Sequence, residues 1–411
     1  MRTAAAAAAY VLSAAYCCAP LASQVHLVDL HVYRMGGDAV LHDMALYTLR
    51  YAGQLPFTYP PFAALVFTSL AWLPWVAAAV LITALTVVAL PVMLYLALQL
   101  PPSPLRGHRA AWDTALAAAA LAIWLEPVRS TLFYGQVDVF IACAVLYDLT
   151  RPDSSRVKGT AIGLAAAFKL TPALFAVYLL LTRRYRAAAT AAAVFAGSVA
   201  LGFAVLPAAS AYFWDVSFLR PGRVSPPQNT QNQSLLGAMT RTLHSASAGL
   251  PWVLAAALVA VAGLVLAVRA DRRGDQARGF SLCAVTDLLI SPISWTHHWV
   301  LAVPALLLAI VAIGRYGARH RLAALPAAVA VTAVAAVAWD RVARHVPNGG
   351  WLSLPPSVIV RSEVYVIIGL GALVIAAAGE LIGYWRSRSA TGAGPDPQPS
   401  PGAVTRLKAP G

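Results

Sequence analysis

Apolar runs dominate the chain of 411 residues and follow one another from its first residues almost to its last. A helix needs about 20 residues to cross the hydrocarbon of a bilayer, and fewer where the protein thins the membrane locally. The runs are too many and too long to be the core helices of a soluble protein. The sequence therefore predicts an all-α polytopic membrane protein with about twelve transmembrane helices, at 4–22, 61–75, 77–99, 113–126, 136–150, 159–182, 187–206, 250–268, 279–292, 298–313, 322–338 and 364–384.

The charges of the chain support a membrane location. Charged residues make up only 11% of the sequence, whereas a soluble domain carries about a quarter. The net charge is nevertheless +14, because arginine and lysine cluster between the apolar runs. Such clusters mark the cytoplasmic face and favour anionic membrane lipids, and no nucleic-acid motif accompanies them. We expect one membrane domain over residues 1–388 and a disordered cytoplasmic tail at 389–411, which is rich in Pro, Gly and Ser.

The apolar stretch at 159–182 allows two interpretations that differ in the parity of the spans. A single helix would place Lys169 in the middle of the membrane and several basic loops outside. Two short helices broken at Lys169 and Pro172 would keep those loops inside and avoid a buried ammonium group. We favour the two short helices.

Polar residues gather in the loops that then face outward, of which the first, 23–60, is long and rich in His, Asp and Tyr. Asp29 and His31 lie at the start of this loop, just after the first span. Asp29 either complements the dipole of a helix start or acts as a general base whose pKa is set by burial and nearby cations. The residues alone leave both interpretations open.

Lys169 and a histidine pair are further candidates for chemistry. A lysine within an apolar stretch is costly unless it snorkels to the interface, and a phosphate partner would account for it. His297 and His298 are adjacent and lack the spacing of a metal site, so a hydrogen bond to a phosphate or a sugar is the better hypothesis.

Three further positions lie at predicted membrane edges. Tyr59 suits the headgroup level, within an aromatic and proline-rich corner. Glu126 and Arg129 have the spacing of an ion pair on a helical turn, which fits a structural pair as well as a sugar-binding role. Polar residues at one surface, without an internal repeat, favour an enzyme over a transporter.

Six short motifs occur in order at these membrane edges, and together they are specific: Asp29-Leu-His-Val-Tyr33, Pro56-Phe-Thr-Tyr-Pro-Pro61, Trp124-Leu-Glu-Pro127 with Gly135-Gln136, Lys169-Leu-Thr-Pro172, Asn232-Gln-Ser234 and Ser291-Pro-Ile-Ser-Trp-Thr-His-His298. In these motifs the chain resembles glycosyltransferase family 87, the polyprenyl-phosphate-mannose-dependent mannosyltransferases of actinobacteria, which have a GT-C fold. The motif forms lean toward the α-1,2-mannosyltransferases that act on phosphatidylinositol mannosides. The family also contains enzymes that branch lipomannan and arabinofuranosyltransferases that use decaprenyl-phosphate arabinose.

The resemblance implies an inverting transfer of mannose to a lipid-anchored mannoside acceptor, on the extracytoplasmic side of the cytoplasmic membrane. Asp29 matches the catalytic aspartate of the family and would take the proton of the acceptor hydroxyl. A phosphate leaving group needs little protonation, so one carboxylate suffices, while the charge that develops on the phosphate must be stabilised. Lys169, Arg129 and one histidine of the pair are the candidates for that task, and no cofactor or metal is expected.

The resemblance also implies a set of substrate-binding residues: His31, Tyr59, Glu126, Arg129, Gln136, Lys169, Asn232, Gln233, His297 and His298. One departure from the family pattern is Asp138, which stands where asparagine is expected and which we expect to be exposed at its turn. A glycolipid transporter and a non-catalytic scaffold of the cell envelope remain as alternative functions.

Overall fold

The computed structural model describes residues 2–19, 27–218, 220–314 and 350–392. These residues are almost entirely helical, with one small hairpin. In the first half, the elements are α1 (Arg2–Cys18), α2 (Val28–Leu41), β1 (Arg50–Tyr51), β2 (Leu55–Pro56), α3 (Pro61–Ala71), α4 (Trp75–Leu98), α5 (Ala110–Ala122), α6 (Glu126–Tyr134), α7 (Asp138–Thr150), α8 (Thr160–Phe168), α9 (Ala173–Leu181) and α10 (Tyr185–Val205).

The second half begins with a short helix, α11 (Pro207–Tyr212), a π-helical turn (Phe213–Ser217) and a 3-10 turn (Pro221–Arg223). The elements that follow are α12 (Leu235–Thr242), α13 (Gly249–Arg272), α14 (Gln276–Ile290), a 3-10 helix (Thr296–Ala302) that continues into α15 (Val303–Ile313), a 3-10 turn (Trp351–Ser353), α16 (Pro356–Ser362) and α17 (Val364–Gly392).

Within these described residues, five helical stretches are long and apolar enough to cross a membrane, and six if the bent pair α5 and α6 counts as one span. The all-α membrane fold is therefore confirmed, whereas the count of about twelve spans is not. The reason is that several predicted runs form helices well short of about 20 residues, such as α7 and α14. The predicted span 322–338 lies outside the described residues.

The stretch at 159–182 forms two short helices, as predicted. Helix α8 ends at Phe168 and α9 begins at Ala173, with Lys169 in an extended conformation between them. Helices α5 and α6 meet at a bend of 78° just before Glu126. Such breaks are tolerated at membrane depth where the backbone lines a cavity.

The region 23–60, which we expected to be a long loop, is largely folded. Helix α2 packs closely on α3, because Gly37 lies against the backbone of Phe67, where an added Cβ would come within 2.4 Å of the carbonyl oxygen. Gly36 leaves room for the ring of Phe57 in the same way. Asp29 is therefore carried by a packed helix and not by a flexible loop.

The helix bundle has two chemically different ends. At one end, the connections after α7, α9 and α13 form an ion-pair network in which Lys158 binds Asp153 at 2.7 Å and Arg184 binds Asp271 at 2.8 Å. The candidate site lies at the other end, where α7 begins and where α8 and α14 end. Helix α17 continues to Gly392 and so includes residues 389–392, the first four residues of the predicted tail. Residues 393–411 lie outside the described residues.

Candidate active site

A cavity of about 680 Å³ opens at this second end. Its wall is built from the first turn of α2, the segment that leads into α3, the break between α8 and α9, and the segment that follows α14. The cavity brings together six of the predicted site residues: Asp29, Tyr59, Gln136, Lys169, His297 and His298.

Asp29 lies in the first turn of α2, and its position is fixed by two contacts. The backbone N–H of Leu27 donates to the carbonyl oxygen of Phe133 at 2.8 Å, and Nε2 of Gln136 donates to Oδ2 of Asp29 at 2.6 Å. Burial raises the pKa of Asp29 to about 6, against the opposing effects of the hydrogen bond from Gln136 and the charge of Lys169. A carboxyl group with this pKa is ionised at neutral pH and still basic enough to accept a proton.

The amide of Gln136 is oriented by two tyrosines. Its Oε1 accepts hydrogen bonds from the hydroxyls of Tyr33 at 2.6 Å and Tyr59 at 3.1 Å. Because these groups donate to the oxygen, the NH₂ group points to Asp29. Gln136, Tyr33 and Tyr59 are all buried, so the carboxylate is held by a network with little freedom to rearrange.

Lys169 forms an ion pair with Asp138, with 2.6 Å between Nζ and Oδ1. The expectation that Asp138 is exposed is wrong, since only 7% of this residue is accessible. Asp138 opens α7, where its charge complements the helix dipole, and it accepts the ammonium group that the break after α8 turns inward. The same ammonium group lies 5.9 Å from the ring centre of Tyr59.

Both histidines of the pair line the cavity. Nε2 of His297 lies 4.0 Å from Oδ2 of Asp138, and neither atom has a hydrogen-bond partner among the described residues. His298 stands edge-on to His297, with 4.8 Å between the ring centres.

Asp138, His297 and His298 bring their ligand atoms within 4.8 Å of one another. The sequence spacing did not show Asp138 beside the two histidines, because Asp138 begins α7 and lies far from them in the sequence. The ammonium of Lys169, already bonded to Asp138, would repel a cation at this place. The cluster is therefore better suited to an anionic or polar ligand than to a metal ion.

His31 lies outside the cavity wall, contrary to its predicted role. Its ring is stacked between Trp75, at 3.7 Å between ring centres, and Tyr51, at 4.6 Å. Burial and the charge of Arg34 lower the pKa of His31. The residue fastens α2 to the hairpin and to the start of α4.

Glu126 and Arg129 also lie outside the cavity wall. The carboxylate of Glu126 accepts hydrogen bonds from Ser130 at 2.7 Å and from Tyr365 at 2.8 Å. It thereby ties the start of α6 to α17. Arg129 is exposed on the same helix, so a place for it at the leaving phosphate does not fit this structure.

Asn232 and Gln233 are fully buried and outside the cavity wall. Asn232 donates to the carbonyl oxygens of Pro227 and Pro292 and accepts from the backbone N–H of Ser294. Gln233 donates its backbone N–H to the carbonyl oxygen of Ser294 at 2.7 Å. Through these bonds Asn232 and Gln233 hold the segment that carries the histidine pair.

Two charged residues of the cavity wall were not predicted. Asp287 lies near the end of α14 with 4% of its surface exposed, and its Oδ2 has no hydrogen-bond partner among the described residues. It was detectable in the sequence as an isolated acid within an apolar run, the same signal that marked Lys169. Arg223 comes from the 3-10 turn before α12, and no sequence signal distinguished it from the other arginines of its loop.

The comparison with known families identifies a family for this chain. The sequence profile of glycosyltransferase family 87 matches residues 57–292, which include neither the first turn of α2 nor the histidine pair. The chain belongs to glycosyltransferase family 87. It is thus a membrane glycosyltransferase with the GT-C fold of that family.

Two relatives from Mycobacterium tuberculosis are similar to this family 87 chain over most of its length. One, from strain CDC 1551, is a polyprenol-phosphate-mannose-dependent α-(1-2)-phosphatidylinositol pentamannoside mannosyltransferase, 39% identical over 69% of the chain and 66% of its own length. The other, from strain H37Rv, is the corresponding phosphatidylinositol mannoside mannosyltransferase, 35% identical over 76% of the chain and 75% of its own length. The chain thus spans slightly less than two thirds of the first relative. No solved structure matches it significantly.

Proposed function

We propose that this family 87 enzyme transfers mannose from polyprenyl-phosphate-mannose to a phosphatidylinositol mannoside or a related lipid-anchored mannoside, with inversion and with an α-1,2 linkage. The observation that carries the proposal is one cavity that holds both a fixed carboxylate, Asp29, and a fixed cation, Lys169, beside a histidine pair. The functions of the mycobacterial relatives support this donor and this acceptor.

Asp29 is the general base of the proposed reaction. Its free carboxylate oxygen accepts the proton of the acceptor hydroxyl while Gln136 holds the other oxygen. The acceptor oxygen forms a bond to the anomeric carbon of a β-mannosyl phosphate, and the bond from that carbon to the phosphate oxygen breaks on the opposite face. The linkage formed is therefore α, and polyprenyl phosphate leaves with the electron pair.

The charge that develops on the leaving phosphate needs fixed positive or hydrogen-bonding groups. Lys169 supplies a preorganised ammonium group, which Asp138 holds in the cavity wall. His297 and His298 add ring nitrogens next to it. Because the phosphate is a good leaving group once its charge is stabilised, the site requires no second carboxylic acid.

The rest of the wall suits lipid substrates. Leu170 and Leu174 follow Lys169 along the break and α9, and Phe213 and Phe218 face the cavity from the other side. An apolar wall next to a phosphate site fits a prenyl chain.

The proposed side of the membrane follows from the opposite end of the bundle. The connections after α7, α9 and α13 carry basic residues, among them Arg156, Arg183 and Arg273. Basic loops of this kind mark the cytoplasmic face. The cavity then opens on the extracytoplasmic side of the cytoplasmic membrane.

The decisive experiment compares wild type with Asp29→Asn for mannose transfer from polyprenyl-phosphate-mannose to phosphatidylinositol mannosides in membranes. We expect the rate to fall about 10²- to 10⁴-fold, the range of general-base catalysis. Asp43→Asn is the matched control, because Asp43 is exposed and has a left-handed backbone (φ 50°) that asparagine tolerates.

Loss of activity must not come from unfolding. The pKa of Asp29 is raised in the folded protein, so its ionised form disfavours folding above about pH 6. Asp29→Asn removes this cost, and its unfolding temperature at about pH 7.5 should equal or exceed that of wild type. An active Asp29→Asn enzyme would refute the mechanism. A wild type that transfers arabinose from decaprenyl-phosphate arabinose instead of mannose would refute the proposed donor. A wild type that transfers neither sugar would refute the proposed reaction.

A further inference from the structure

Arg223 places a second cation in the wall of the same cavity. It ends the 3-10 turn Pro221–Arg223, and its Nη1 donates to the carbonyl oxygen of Phe57 at 3.0 Å. Its guanidinium lies 5.5 Å from the ring centre of Tyr47. The Nε atom is buried and has no hydrogen-bond partner among the described residues.

No carboxylate compensates this charge. Among the described residues, none lies within ion-pair distance of Arg223, although Lys169 has Asp138. The charged neighbour of Arg223 is another cation, Arg50, which together with burial lowers the pKa of the guanidinium. Arginine nevertheless keeps its proton in proteins, so a half-buried guanidinium in the cavity wall, without a carboxylate partner among the described residues, is suited to an anionic ligand.

The two cations of the cavity are attached to different parts of one segment. Lys169 lies over the ring of Tyr59, whereas Arg223 bonds to the backbone of Phe57. Tyr47 lies on the Arg223 side and donates its hydroxyl to the carbonyl oxygen of Tyr59 at 2.8 Å. Lys169 and Arg223 thus contact different residues of the segment 57–59.

We propose that Arg223 binds the phosphodiester of the acceptor lipid, while Lys169 serves the phosphate of the donor. This inference rests on the proposed function, in which both substrates are phosphodiester lipids. A guanidinium edge offers two parallel N–H groups and thus matches the two free oxygens of a phosphodiester. The acceptor would be held at its phosphate so that its terminal mannose reaches Asp29.

The test compares two acceptors: a phosphatidylinositol mannoside and an alkyl α-mannoside without phosphate. A hydrogen bond to a charged group contributes about 1.5–3 kcal/mol, which corresponds to about 10- to 100-fold in affinity. We expect Arg223→Gln to raise KM for the phosphatidylinositol mannoside by this factor. The ratio of kcat/KM for the phosphatidylinositol mannoside to that for the neutral acceptor should fall by the same factor. KM for the donor should change little, and Arg223→Lys should retain part of the preference. Arg220→Gln, an exposed arginine of the same loop, is the matched control.

Three results would overturn the proposal. They are an equal loss with both acceptors, which would indicate a role in folding or in donor binding; a rise in KM for the donor; and an unchanged preference. Binding of phosphatidylinositol mannoside to the purified protein, followed by native mass spectrometry, tests Arg223 without turnover. If wild type transfers no mannose but Arg223→Gln still weakens this binding, the proposed function fails and the lipid site stands. If the binding is equal in both proteins, the lipid site fails.

Discussion

At the scale of single residues, the contacts of Asp29 determine its protonation. The hydrogen bond from Gln136 and the charge of Lys169 favour the carboxylate, whereas burial and the charge of Asp138 favour the acid. The pKa of about 6 is the balance of these opposing effects. Changing either neighbour should therefore move the pH dependence of the enzyme in a direction that can be stated beforehand.

We expect opposite shifts from two variants at these neighbours. Gln136→Leu removes a hydrogen bond that lowers the pKa of Asp29, so the midpoint of the rise of kcat/KM with pH should move above that of wild type. Asp138→Asn removes a charge that raises the pKa, and the midpoint should move below it. The measurement is kcat/KM from about pH 4.5 to 8. We expect Gln136→Leu also to lower kcat about 10- to 100-fold, because the base is no longer held.

The outcome that contradicts this view is specific. If Gln136→Leu raises KM for one substrate and leaves the pH midpoint unchanged, Gln136 binds sugar and does not position Asp29. If both variants shift the midpoint in the same direction, another group controls it.

The sequence identified charged side chains in apolar surroundings but not the direction in which each side chain points. Lys169 was found because an ammonium group at membrane depth is costly, and the same reasoning would have found Asp287. The spacing of Arg129 from Glu126 predicts an ion pair or a sugar contact, whereas in the folded helix Arg129 is exposed and lies outside the cavity wall. The partner of Asp138 was not predictable, because Lys169 lies 31 positions further along the chain.

At the scale of elements, the Asn-Gln-Ser motif connects two segments that are distant in sequence. Asn232 and Trp295 form an isolated antiparallel bridge, and the side chain of Asn232 adds bonds on both sides of it. Arg241 supports the same segment from α12, since it donates to the carbonyl oxygens of Asn229 and Asn232 and pairs with Glu363. This motif thus acts on the histidine pair through the backbone.

Asn232→Ala separates this structural role from substrate binding. The substitution removes two hydrogen bonds to part-buried carbonyl oxygens, of which that of Pro292 keeps the hydroxyl of Ser234, and leaves the buried N–H of Ser294 without this partner. Each lost hydrogen bond costs about 1 kcal/mol, and a buried unsatisfied group costs more. We expect the free energy of unfolding to fall by about 2–4 kcal/mol, as measured by thermal unfolding in detergent. A protein of unchanged stability with a raised KM for donor or acceptor would instead restore Asn232 to the substrate site. Asn229→Ala is the control, because this half-buried residue lacks the two links to the segment after Ser291.

At the scale of the whole molecule, the apolar runs predict where helices form but only one of the places where they break. The two helices of 159–182 followed from the cost of burying Lys169, and that reasoning held. The bend before Glu126 and the short α7 followed from no such cost, because they depend on how neighbouring helices enclose a cavity. For this reason the number of complete spans, and with it the side on which the cavity opens, needs a direct measurement.

Cysteine labelling in whole cells tests that side. In a chain whose native cysteines, Cys17, Cys18, Cys143 and Cys283, are replaced by alanine, we would introduce Asp43→Cys in the connection after α2, within the region 23–60 that is expected to face outward, or Ser154→Cys in the basic connection after α7. Both positions are exposed. We expect a membrane-impermeant maleimide to label Asp43→Cys in intact cells, and Ser154→Cys only after permeabilisation, because basic loops remain in the cytoplasm. Labelling of both after permeabilisation is the control for accessibility. The reverse pattern would place Asp29 and Lys169 in contact with the cytoplasm and would contradict transfer on the outer face.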